Sequence, residues 1–173
     1  MGKHRLNHVY AVALGSNRAR SRTLGPNALV RAALDMLGQP PLRLRACSRI
    51  ISSAPLGPSR RRYANAAAIV ASDLPPPQFL ARLQAIEAHF GRQRGQRWAA
   101  RTLDLDIILW SGGIWADEAL QIPHIAFRGR DFVLGPLREV APEWRDPVTN
   151  MNVRALFMRL NKPKPVDRGP APD

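Results

Sequence analysis

Between Leu103 and Ile107 the chain alternates an aliphatic residue with an aspartate, Leu103-Asp104-Leu105-Asp106-Ile107, and no other stretch constrains the fold as tightly. Side chains of a strand alternate faces, so Thr102–Trp110 reads as a strand with an apolar side and an acidic side. Asp104 and Asp106 then share one face, about 7 Å apart along the backbone. Two carboxylates so close to a core repel each other and desolvate at a cost unless a cation lies between them. A hard divalent ion suits them, and Mg²⁺ usually takes one or two carboxylates together with substrate phosphates. For the tripeptide alone, an edge strand with a wet acidic face is an equally good reading. Immediately upstream, Arg92, Arg94, Arg97 and Arg101 stand among Gly91, Gly95 and Trp98. An arginine loop feeding an acidic strand points to phosphate chemistry, with guanidinium groups meeting developing negative charge.

A length of 173 residues suits one domain, expected over 1–161, with the Pro-rich 162–173 as a disordered tail. The formal charge of +13 is carried almost entirely by arginine, since the lysines are Lys3, Lys162 and Lys164. Such a balance implies a polyanionic partner, either nucleic acid or a polyphosphate ligand. Cys47 is the one cysteine, so no intrachain disulfide can form, which suits a reducing cytosol. The apolar run after the basic start is too short for a secretory core, and nothing approaches the ~18 residues of a spanning helix. A cytoplasmic protein is expected.

Along the chain, strand-like and helix-like runs alternate. Val9–Leu14 reads as a strand closed by a Gly15-Ser16-Asn17 turn. A helix is expected from Pro26-Asn27 to about Leu37, with Ala28, Leu29, Ala32, Ala33 and Met36 as its apolar face. Leu42–Ser52 and Tyr63–Ser72 read as strands. Gln78–Phe90 reads as a helix with Phe79, Leu80, Leu83, Ile86 and Phe90 on one stripe, and with Gln84 and Glu87 on a neighbouring face. After the acidic strand, Ser111-Gly112-Gly113 is a hairpin-type turn into Ile114-Trp115, which implies antiparallel pairing. Phe132–Val140 reads helical with Pro136 a kink or break, and Val153–Leu160 is a last amphipathic helix. The sum is an α+β sandwich. Tyr63 and Asn65 share a strand face, and a ring beside an amide suits a flat heteroaromatic with a donor–acceptor edge. An interface tyrosine and a turn asparagine explain that pair as well. Phe132 is a candidate opposing ring.

Several motifs occur in order: Leu14-Gly15-Ser16-Asn17, Pro55-Leu56-Gly57-Pro58, Tyr63-x-Asn65-Ala66-Ala67, Ile86-Glu87, Gly91-Arg92-x-Arg94, Arg97-Trp98-x-x-Arg101-Thr102-Leu103-Asp104-Leu105-Asp106-Ile107 and Pro123-His124. Together they resemble the 6-hydroxymethyl-7,8-dihydropterin pyrophosphokinase family of folate biosynthesis, from about Val9 to Pro142. The resemblance implies a ferredoxin-like α+β core and transfer of the β,γ-pyrophosphoryl group of ATP to a pterin hydroxymethyl oxygen, releasing AMP. It implies that Asp104 and Asp106 hold two Mg²⁺ ions and that Arg92 and Arg101 are catalytic. Gln84, Glu87, Arg94, Trp98, Ile107, His124 and Arg130 would serve ATP. Ser53, Leu56, Tyr63, Asn65 and Phe132 would hold the pterin. The partners implied are these two small molecules, with no nucleic acid, no membrane and a monomeric chain. The chain departs from the family pattern at Ala99-Ala100, where Gly-Pro is common, at Ser53-Ala54, and at Ala119, Gln121 and Ile125. Two other readings remain at this point: a basic nucleic-acid-binding protein, or an impaired member of the same fold.

Overall fold

The computed structural model describes residues 7–17, 24–54, 62–91 and 102–163. Its strands are β1 (His8–Ser16), β2 (Leu42–Cys47), β3 (Ile51–Ser53), β4 (Tyr63–Ser72), β5 (Asp104–Trp110), β6 (Trp115–Ala116) and β7 (Gln121–Ile122). Its helices are α1 (Pro26–Leu37), α2 (Pro76–His89), α3 (Asp131–Val140) and α4 (Val153–Leu160), with a 3-10 turn at Phe127–Gly129.

The main sheet runs β2-β4-β1-β5, and β3 continues the β2 edge along β4. Every pairing in it is antiparallel. Each of α1 and α2 links two strands separated by one other strand, so two split β-α-β units interleave in the ferredoxin-like manner. The expected α+β class is therefore what the chain adopts.

Strand β1 explains why the two faces differ. Tyr10, Val12 and Leu14 point to one side and pack with Leu29, Leu37, Phe79 and Leu83 from α1 and α2. The alternate residues are small: Ala11 joins Ile69, Val133, Leu134 and Leu156 on the side covered by α3 and α4. A register shift between Ala11 and Val12 leaves Ile108 as an extra residue in β5. Ile108 and Leu109 consequently both enter the α3/α4 core, the re-aiming that a bulge produces.

Several boundaries differ from the sequence reading. Strand β1 runs on to Ser16, because Gly15 pairs with Asn65 on one side and Asp104 on the other. The expected 42–52 strand is split into β2 and β3. Between them Ser48 takes over the ladder: its N–H donates to Ala67 O and its Oγ accepts from Ala67 N, both at 2.9 Å. Helix α1 buries Leu29, Val30, Ala33, Leu34 and Leu37, leaving Ala32 and Met36 only partly covered, so its bulkiest residues set the inward face. Segment 115–116 does not pair with β5 but with β7 in a separate ribbon, so the antiparallel partner of β5 is β1. Helix α3 continues through Pro136 to Val140. No helix among the described residues is long and apolar enough to cross a membrane.

Candidate active site

The α3/α4 face of the sheet is not covered to its end. Where β1 finishes and β4 and β5 begin, Asn65, Gly15 and Asp104 form one cross-strand row, and Ala67, Ala13 and Asp106 form the next. On this face the central strand presents Gly15 and Ala13, so the floor is low between an amide on one flank and two carboxylates on the other. A cavity of about 230 Å³ results, lined by Ser53, Tyr63, Asn65, Asp104, Asp106, Arg130 and Phe132 over that floor.

Asn65 is held in a defined orientation. It is 5 % exposed, and its Nδ2 donates to Ser53 Oγ at 2.7 Å. Its Oδ1 lies over Gly15, where an added Cβ would stand 3.4 Å away, in van der Waals contact with the amide. The far wall is the start of α3, where Asp131 Oδ1 accepts from Phe132 N at 2.7 Å. The Arg130 guanidinium lies 5.9 Å from the Phe132 ring centre, within cation–π range.

His124 stands beside the carboxylates without lining the cavity. Its N–H donates to Ile108 O at 3.1 Å, and its Nδ1 accepts from Ala126 N at 3.1 Å, which assigns the neutral ring's proton to Nε2. Burial pushes this imidazole below its ordinary pKa; the Asp106 carboxylate acts in the opposite sense and Arg130 adds to the depression. Asp106, His124 and Arg130 thus form one electrostatic neighbourhood.

Other expected site residues lie elsewhere. Ile107 is 3 % exposed in the α1/α2 core and does not line the cavity. Gln84 is half-buried on α2. Glu87, also on α2, is 2 % exposed and accepts from Leu105 N at 2.9 Å. Leu56, Arg92, Arg94, Trp98 and Arg101 fall outside the described residues. The chain enters that arginine segment at Gly91, whose φ of 95° is left-handed and suits glycine, and it returns at Thr102, whose Oγ1 donates to Phe90 O at 2.8 Å. Both ends are therefore fixed beside β5. Gly15 reads from sequence as a turn residue and Ala13 as part of an apolar run, not as the floor of a cavity. The alternation of large Tyr10, Val12 and Leu14 with small Ala11, Ala13 and Gly15 is the signal that marks them.

Two half-buried carboxylates on one strand face supply hard oxygen donors and fit Mg²⁺, an ion that keeps several waters and completes its shell with phosphates. Fold and cavity together define a ferredoxin-like α+β protein with an acidic, aromatic-walled pocket at one end of its sheet. Residues 11–142 match the family model for 7,8-dihydro-6-hydroxymethylpterin-pyrophosphokinase (HPPK). The 2-amino-4-hydroxy-6-hydroxymethyldihydropteridine pyrophosphokinase of Pseudomonas aeruginosa is 42% identical over 144 residues, 82% of this chain and 85% of that protein. The Haemophilus influenzae protein of the same name is 40% identical over 134 residues, 76% of this chain and 81% of that one. Wild-type HPPK-DHPS of Plasmodium falciparum superposes with a TM-score of 0.66 at 13% identity over 88% of this chain, a likeness of fold. This chain spans 41% of that longer one. The chain belongs to the 7,8-dihydro-6-hydroxymethylpterin-pyrophosphokinase family and is an enzyme.

Proposed function

We propose that this chain transfers the β,γ-pyrophosphoryl group of ATP to the hydroxymethyl oxygen of 6-hydroxymethyl-7,8-dihydropterin, with Mg²⁺, releasing AMP. The observation that carries the reading is one cavity lined by two unlike sets of groups. The oriented Asn65 amide with Tyr63 and Phe132 suits the edge and faces of a pterin, while Asp104, Asp106 and Arg130 suit a metal-bound polyphosphate. Asn65 and the two carboxylates flank β1, so a hydroxymethyl group held on one side would face a phosphate held on the other.

In this reading Ser53 keeps the Asn65 amide turned to the cavity, so that its donor and acceptor meet a complementary heterocycle edge without reorganising. Tyr63 and Phe132 supply apolar faces for the ring. Asp104 and Asp106 would hold Mg²⁺, which when bound neutralises phosphate charge. Arg130 adds a fixed cation on the same side. Arg92 and Arg101, in the segment that leaves at Gly91 and returns at Thr102, would meet the phosphates as the pterin oxygen bonds to the β-phosphorus. The bond from that phosphorus to the α–β bridging oxygen breaks, AMP leaves with its electron pair, and the hydroxyl proton is released. Such transfer is mostly positioning and charge neutralisation, which is what these side chains offer. Nucleotide products resolved by chromatography test the reading. AMP that forms only when ATP, Mg²⁺ and the pterin are all present is expected; ADP as the product, or AMP formed equally without pterin, overturns it.

A further inference from the structure

Glu87 is a buried acid that the cavity does not use. It is 2 % exposed, it sits near the C-terminal end of α2, and it faces the sheet from the side opposite the cavity. A carboxylate so enclosed is costly unless strong donors meet it. One donor is Leu105 N at 2.9 Å, a backbone N–H of the sheet's edge strand. Leu105 is the residue between Asp104 and Asp106, and its own side chain is buried in the α1/α2 core. The backbone that carries both cavity carboxylates is thus gripped from behind by a third carboxylate. Two further bonds stitch the approach to this segment. Ser16 Oγ donates to Thr102 O, and Thr102 Oγ1 donates to Phe90 O.

We infer that Glu87 is a positioning residue for the metal carboxylates, setting the pitch of β5 between Asp104 and Asp106 through Leu105 N, and that it touches neither nucleotide nor pterin. The inference rests on the reading of Asp104 and Asp106 as the metal pair. An edge strand has a partner on one side only, so residues 104–106 would otherwise be free to twist outward. Groups that orient metal ligands from behind typically change metal affinity about 10–100-fold when removed. A direct contact to ATP would instead change nucleotide affinity whether or not metal is present.

The test compares the wild type with Glu87→Leu and Glu87→Gln as full chains. Calorimetry measures a non-hydrolysable ATP analogue with and without Mg²⁺, Mn²⁺ titration measures the metal directly, and hydrogen exchange reads the Leu105 amide. For Glu87→Leu the account expects metal affinity to fall at least about tenfold, metal-free nucleotide binding to stay unchanged, and the Leu105 amide to exchange faster. Glu87→Gln keeps an acceptor oxygen and should recover most of the metal affinity and protection. If Glu87→Leu does not fold, Glu87→Ala, which also removes the acceptor, is read in its place. Loss of metal-free nucleotide binding in either folded variant would make Glu87 a direct ligand. A lower melting temperature with unchanged metal affinity would make it merely structural. None of these readouts needs turnover, so they stand apart from whether AMP is formed.

Discussion

The two faces of the sheet are made by alternate residues of the same strands, yet one is sealed and the other is open. On the α1/α2 side Tyr10, Val12 and Leu14 of β1 meet Phe79 and Leu83, and the stacked Tyr10 and Phe79 rings lie 3.8 Å apart between centres. On the α3/α4 side the intervening residues shrink toward the strand's end, from Ala11 through Ala13 to Gly15, and the cover of α3 stops at Phe132. Removing side-chain volume at one end of one face leaves room for polar groups that a packed core would exclude. Stability is concentrated on the first face and chemistry on the second. Each face should therefore answer to different substitutions.

The largest contrast is between the carboxylates and a ring of the sealed core, Phe79. Asp104→Ala and Asp106→Ala should each nearly abolish pyrophosphoryl transfer, a loss of several kcal/mol of transition-state stabilisation, while leaving thermal unfolding little changed. Phe79→Ala should do the reverse, costing about 3–5 kcal/mol of stability with turnover per folded molecule preserved. Steady-state rates paired with melts decide both. A carboxylate variant that keeps a tenth of wild-type turnover would break the contrast.

A smaller effect is expected where the open face is anchored from below. Asp146 is fully buried and takes both guanidinium bonds of Arg128 at 2.7 Å, together with the Thr149 hydroxyl at 2.6 Å. Burial alone would raise this carboxyl; the Arg128 and Thr149 bonds overcome it and hold the pKa down at about 2. A depressed acid stabilises the fold above its unfolded value of 3.8 and loses that contribution as pH falls through about 2. Asp146→Ala should cost about 3 kcal/mol at neutral pH, since it strands a partly buried cation. The variant should also show a flatter dependence of melting temperature between about pH 4 and pH 2. Equal pH slopes in both proteins would contradict the assignment.

Smallest is Asn65→Ala, which should weaken pterin binding by about 1–3 kcal/mol and leave the ATP analogue untouched. Calorimetry with each ligand alone measures it, and equal losses for both would make Asn65 a structural residue. Ser53→Ala sharpens the same point. It frees the amide to rotate and should give part of the Asn65→Ala loss.

Much of this was legible in the chain, and the reasons are local. Tyr63–Ser72 and Val153–Leu160 carry their own propensity and patterning, and their observed limits coincide with those read from sequence. The Asp-x-Asp alternation likewise determines that both carboxylates share a face, because period two is a property of any strand. Long-range partners were harder. Gly15 looks like a turn residue until Asn65 and Asp104 are known to flank it. Ser48 gives no sign that its hydroxyl will replace a strand bond to Ala67. Glu87, three residues from Gln84, reads as lying on a face beside the apolar stripe, whereas the fold buries it against Leu105 N. The hairpin expected after Ser111-Gly112-Gly113 turned on the same difficulty, since the turn forms but β6 takes β7 as its partner. Propensity specifies what an element is; which element meets it depends on residues tens of positions away.

The division of labour between the faces is tested most directly by amide chemical shifts in a ¹⁵N-labelled chain, titrated with the pterin and then with a non-hydrolysable ATP analogue and Mg²⁺. The account predicts that pterin shifts cluster at Gly15, Ser53, Asn65 and Phe132. Those from the metal–nucleotide complex should then extend to Asp104, Asp106 and Arg130, with Leu29, Leu37 and Phe79 left unmoved. Ligand-induced shifts centred on α1 and the Phe79 side of α2, with the Gly15–Asn65–Asp104 row silent, would contradict it.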